Sequence, residues 1–173
     1  MIEEVSLDPH RMFRHGCAFA DCAKYCETEP NNIKYRTQSH TVSGIVNSAF
    51  ACEVFIKTLL VFHGTSFEEL NRFHKLETLW SKLKTKDCRT TSLVEQRVQE
   101  WFNSKTENLF DKLLSEISDA FVYWRYIYEK DSGSLNLNFL RYFRELLREV
   151  CCSQLYGKTW NEYINIVDDI NNG

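Results

Sequence analysis

Apolar positions recur at helical spacing in every long segment of this chain, and no apolar–polar alternation persists as a strand would require. No Asn-Gly or Asp-Gly pair stands between apolar runs, so no hairpin is signalled. Asp8 and Pro9 open the first predicted helix: aspartate accepts free backbone N–H groups there, and proline loses nothing in a first turn. Phe13, Cys17 and Ala20 follow on one face. Pro30 disfavours helix at Glu29, so the helix ends there and residues 30–40 read as a polar connector. The second helix runs from Thr41 to Phe62. Its Val46, Ala49, Phe50, Val54, Ile56, Leu59, Leu60 and Phe62 cover most of the circumference, the mark of a central helix. His63-Gly64 closes it.

Four Ser/Thr-x-x-Glu pairs have the spacing of capping boxes: Ser66/Glu69, Ser92/Glu95, Ser104/Glu107 and Thr159/Glu162. They predict a short helix after Ser66 continuing or kinking into Lys75 to Leu83, and helices at about 93–103 and 105–129. Asp131-Ser132-Gly133-Ser134 breaks the last of these. Phe139, Phe143, Leu146, Leu147 and Val150 mark a penultimate helix, and Trp160, Tyr163, Ile164 and Val167 a short final one. The expected fold is all-α, an up-and-down bundle of about six or seven helices in one domain spanning 1–173.

Composition narrows the class. At 173 residues and 43% hydrophobic content the chain can bury one core, and 6 glycines with 2 prolines exclude collagen-like or linker-rich chains. A net charge of −3 gives no overall pull toward nucleic acid or an anionic membrane. The acidic start Met1-Ile2-Glu3-Glu4 has no apolar signal region, and Asn47, Glu53 and Lys57 interrupt the apolar stretch from Ile45 to Phe62. A cytoplasmic protein without a membrane span is expected. Seven cysteines read as free thiols. Cys17, Cys22 and Cys26 with His10 or His15 could be read as a metal set, but no second ligand pair follows, so neither metal nor cofactor is expected.

Polar groups among apolar ones hold the candidate chemistry. Glu53 and Lys57 are four apart on the central helix, acid before base, and charges there need partners. They either pair with each other to fix the packing or face a polar cleft. His74 begins an apolar face and is either a satisfied core histidine or a group that titrates near neutrality. Arg125 lies among the aromatics of the segment from Phe121 to Tyr128; it either pairs with Glu129 or Glu53, or offers its guanidinium to phosphate. Arg141, Arg144 and Arg148 oppose Phe139, Phe143 and Leu147; they either follow a phosphate backbone or, with Glu145 among them, form a solvated, salt-bridged face, and the second is expected. Nucleotide-loop, zinc-protease and serine-hydrolase signatures are absent.

Three segments together resemble the HEPN family of helical domains. Asn47-Ser48-Ala49-Phe50-Ala51-Cys52-Glu53-Val54-Phe55-Ile56-Lys57-Thr58-Leu59-Leu60 is similar to that family's N-x-A-F-A-x-E-x-x-L-K-x-L-L helix. His74-Lys75-Leu76-Glu77-Thr78-Leu79-Trp80 resembles its H-D-L-x-x-L-F segment. Phe121-Val122-Tyr123-Trp124-Arg125-Tyr126-Ile127-Tyr128-Glu129 is similar to its F-x-x-W-R-Y-x-Y-E helix. The resemblance implies a bundle that forms homodimers and belongs to bacterial toxin–antitoxin, antiviral or RNA-processing systems, with RNA or a nucleotide as ligand and an operon-encoded protein as a further partner. Many members cleave RNA without metal through an R-x₄₋₆-H motif. Here Arg11/His15 and Arg36/His40 each have three intervening residues, and no histidine follows His74. The expectation is therefore a non-catalytic, RNA-linked module. The alternative is a metal-independent ribonuclease or nucleotide-handling domain with His74 and Arg125 as catalytic groups and Glu53, Lys57, Asn47 and Glu129 as binding groups.

Overall fold

A computed structural model describes residues 7–28, 40–130 and 133–172, with side chains to 168. Among these residues every regular element is helical, and the fold is an all-α bundle. The expected connector at 30–40, apart from His40, and the expected breaker residues Asp131 and Ser132 lie outside the described residues, as does Arg36.

Helix α1 spans Pro9–Thr28, with Asp8 Oδ1 accepting the His10 N–H at 2.9 Å as the cap reading requires. Helix α2 spans Thr41–Phe62 and is the hub: it packs against α1 and three later helices, and twelve of its 22 residues are buried. It is also, among the described helices, the one long and apolar enough to cross a bilayer. Gly16 lets α1 approach closely, because a Cβ there would lie 2.6 Å from Phe55 Cε1. Short α3 (Phe67–Leu70) is capped by the Ser66 hydroxyl, and α4 covers Leu76–Lys86.

Two predicted starts move. Asp87 Oδ1 accepts the Thr90 N–H at 3.0 Å, so α5 begins a turn early and spans Cys88–Trp101, with Ser92 inside it. Glu95 turns instead to Trp80 Nε1 at 3.1 Å and Lys84 Nζ at 2.9 Å. Ser104 closes a turn bracketed by Asn103 and Asn108, both at positive φ, which asparagine tolerates. Helix therefore resumes only at α6, Leu109–Ile117.

The predicted helix at 105–129 is also divided. Ser118 directs its carbonyl to the Leu76 N–H at 3.3 Å and its hydroxyl to the Glu77 N–H at 3.1 Å. Chain direction changes there, leaving α7 at Ala120–Arg125 and a 3-10 turn at Ile127–Glu129. Helix α8 (Leu137–Tyr156) ends at Gly157, with φ of 64°, and α9 runs Trp160–Asn172 after a complete Thr159/Glu162 capping box. Phe13, Phe55, Phe139 and Phe143 lie fully buried in one apolar cluster that reaches from α1 to α8.

The arginine face of α8 corrects its sequence reading. Arg144 and Arg148 are only 2% and 3% exposed. The polar side of α8 meets the polar side of α1 rather than water. Arg144 grips Glu27 with both terminal nitrogens at 2.9 and 3.3 Å, bonds the Ser48 hydroxyl, and turns its Nε to Glu145 at 2.9 Å. Arg148 reaches Asp21 at 2.7 Å and Glu145 at 2.6 Å, with its guanidinium 4.7 Å over the Trp160 ring. Arg141 alone stays partly open, 3.2 Å from Glu27.

Asp87 ties three elements together. Its Oδ2 lies 3.0 Å from Gln154 Nε2 on α8 and 3.1 Å from His63 Nε2, the latter an ion-pair distance without hydrogen-bond alignment. Burial works to raise its pKa, but the Thr90 hydroxyl and N–H, the Gln154 amide and His63 together hold it below the ordinary aspartate value.

Two outcomes follow. Arg144→Met removes the buried partner of Glu27, Ser48 and Glu145, leaving Glu27 only the half-open Arg141, and should cost about 3 kcal/mol, read as a lower urea midpoint at unchanged slope. A depressed carboxylate pKa contributes stability above its ordinary value and loses it on acidification. The wild-type melting temperature should therefore fall as pH drops below about 4. Asp87→Asn should flatten that limb and start from a lower melting temperature at neutral pH.

Candidate functional site

The local sequence of α2 places Glu53 and Lys57 one turn apart, and Lys57 Nζ meets Glu53 Oε1 at 2.8 Å. The same oxygen lies 2.9 Å from Nδ1 of His74, which stands between α3 and α4. Facing a carboxylate, Nδ1 carries the proton and donates. Exposure grades outward, from 2% for Glu53 through 15% for Lys57 to 53% for His74. Glu53 is thus a buried acid that anchors a solvent-reachable imidazole. Its second oxygen, Oε2, is buried and accepts no hydrogen bond among the described residues.

His74 lines an open cleft of about 560 Å³. Arg72 and Lys75 flank it on the same wall. The facing wall comes from α7 and the 3-10 turn and presents Tyr123, Tyr126, Glu129 and Lys130. Asp119 stands at one end, where it pairs with Lys75 at 3.2 Å. A second concavity, of about 440 Å³, adjoins through Asp119 and Tyr123 and carries Glu116 and Trp124. Cations beside aromatic rings can hold a ligand that carries both phosphate and a flat ring. An imidazole whose Nδ1 is fixed by a carboxylate can exchange a proton through Nε2.

The structure brings Glu53, Lys57 and His74 together and sets Glu129 across the cleft from His74. It does not bring Arg125 to that carboxylate, and Arg125 forms no ion pair with Glu129 among the described residues. The Arg125 guanidinium lies 5.0 Å over Phe121 and 4.7 Å over Tyr126. Phe121 in turn stacks on Phe50 at 4.7 Å, and Phe50 meets the edge of Phe19 at 4.5 Å. Arg125, itself exposed, therefore caps an aromatic ladder beside the cleft. Asn47 donates its amide to the Ser43 carbonyl at 2.8 Å, a bond within its own helix. Arg11 and His15 are exposed on α1.

Sequence reasoning missed Arg72, Lys75, Tyr123, Tyr126 and Lys130 as cleft residues. A signal existed for some of them: Arg72 and Lys75 flank His74, and Tyr123 and Tyr126 lie one turn apart in the aromatic segment. For the metal reading, no group of three or more His, Cys, Asp or Glu ligands occurs among the described residues. Cys17 is buried and Cys22 exposed, and burial pushes the Cys17 thiol up to about 12. Comparisons with protein-family models, with curated proteins and with solved structures find no match.

If Glu53 anchors both partners, Glu53→Gln should lower unfolding free energy by about 3 kcal/mol, because Lys57 loses its counter-charge and His74 its charged acceptor. Lys57→Met should cost at least as much, because it leaves the buried carboxylate without its lysine counter-charge. Urea titrations of both variants against wild type check the ordering.

Proposed function

We propose that this chain is a HEPN-like, RNA-linked helical module of bacterial stress or defence, and that it holds single-stranded RNA in the cleft beside His74. The observation that carries this reading is the composition of the cleft walls. Arg72, Lys75 and Lys130 offer charge to phosphates, and the Tyr123 and Tyr126 rings offer faces to bases. Sequence-tolerant binding needs only those two elements. The exposed Val122 and Tyr128 nearby supply apolar contact for a homodimer.

A second reading, metal-independent RNA cleavage, is favoured by one specific observation. Glu53 fixes Nδ1 of a half-exposed imidazole, the arrangement that readies the other ring nitrogen to take or give a proton. Cleavage through an adjacent 2′-hydroxyl needs such a group, with cations to stabilise the phosphate. In this reading His74 moves the proton, Glu53 orients it and Arg72 stabilises the charge.

Fluorescence anisotropy with a labelled single-stranded RNA tests the first reading. Wild type should bind with a salt-dependent affinity. Tyr126→Ala should weaken binding about tenfold at unchanged salt slope, and Arg72→Ala should weaken binding and reduce the slope by about one. The same RNA incubated in EDTA tests the second reading: cleavage by wild type and not by folded His74→Ala supports it. Absence of binding and cleavage at high protein concentration rejects both.

A further inference from the structure

The segment that carries His74 is fastened at both ends. On the inner side, His74 bonds Glu53 of α2. On the outer side, the start of α4 is fastened by a residue 41 positions away in sequence: Glu77 N–H donates to Ser118 Oγ at 3.1 Å. Leu76 N–H donates to the Ser118 carbonyl at 3.3 Å. Lys75 holds the N-cap position of α4, with extended φ and ψ of −74° and 125°, and its side chain makes no cap bond. A lysine cannot accept the free N–H groups of a helix start, and Ser118 does so in its place.

We infer that Ser118 is a positioning residue for His74. This rests on the reading above that His74 is the working group of the cleft. Only Lys75 separates His74 from Leu76, and that link is extended, so a shift of the α4 start passes directly to the imidazole. Phe73 N–H bonds the Leu70 carbonyl at 3.1 Å and fixes the other side of the segment. His74 then has one reach, and Glu53 stands at the end of it. Ser118 is buried, so its hydroxyl bond is shielded from water, whereas the Lys75–Asp119 bridge beside it is exposed and contributes little. The division of the predicted 105–129 helix at Ser118 acquires a purpose. A serine that continued the helix would give its carbonyl to its own chain rather than to α4.

The test is the tautomer of His74, read from nitrogen shifts in ¹⁵N-histidine-labelled protein at about pH 8, where free imidazole is neutral. His74→Gln assigns the signal. Wild type should show His74 protonated at Nδ1. Ser118→Ala should shift it toward protonation at Nε2, and Ser118→Thr, which keeps the hydroxyl, should restore the wild-type pattern. Asp119→Asn should leave the pattern unchanged. If Ser118→Ala does not fold, Glu77→Pro removes the same bond from its exposed end, since proline is tolerated in a first helical turn. A wild-type tautomer in folded Ser118→Ala or Glu77→Pro overturns the inference, as does an equal shift in Asp119→Asn. The measurement uses no RNA. A chain that shows the shift but binds no RNA loses the functional reading and keeps the positioning role of Ser118.

Discussion

A carboxylate deep in an apolar bundle has to be paired, and the architecture around Glu53 follows from that requirement. Its charge cannot be left in a low-dielectric interior without neutralising partners. Lys57 supplies the counter-charge from the next turn of the same helix, and His74 adds a hydrogen bond from a different element. The second contact matters more for shape. It draws the link between α3 and α4 onto α2 and thereby sets one wall of the cleft. The opposite wall is held against α2 by different physics, a stack of rings from Phe19 through Phe50 and Phe121 to the Arg125 guanidinium. One wall is fixed by charge and the other by aromatic contact, and the gap between them is where ligand chemistry is available.

The same principle recurs on the far side of α2 with a different outcome. Three arginines of α8 meet Asp21 and Glu27 of α1 and Glu145 of their own helix, so positive and negative groups balance in number. Among the described residues each of these arginines has a carboxylate partner. This cluster matches α1 to α8 in register, because each guanidinium fork accepts only a narrow range of carboxylate positions. Buried charge is thus used twice in one small bundle, once to hold helices together and once to hold a half-exposed imidazole at the cleft.

The helical class was legible because period 3.6 dominates the apolar pattern, and α2 was legible as the central element because its apolar positions leave almost no polar face. The pairing of Glu53 with Lys57 could be read from spacing alone. Its extension to His74 could not, since a contact across 21 positions depends on how the intervening turn folds. Capping boxes succeeded where nothing nearer competed, as at Thr159, and failed at Ser92, where Asp87 offers a stronger cap one turn earlier. The arginine face was misread because periodicity separates polar from apolar sides but does not say whether a polar side meets water or another polar helix. The ring contacts of Arg125 with Phe121 and Tyr126 could be anticipated from its aromatic neighbours in sequence, whereas its distance from Glu53 could not.

The all-round apolar surface of α2 has a cost during biosynthesis. Its final partner, α8, is not made until everything from His63 to Asn136 has left the ribosome. At about 5–20 residues per second the nascent chain holds a partly uncovered, membrane-like helix for several seconds, with α1 first and then α4 and α7 able to shield part of it. Such a segment is a natural client for holdase chaperones that bind apolar stretches.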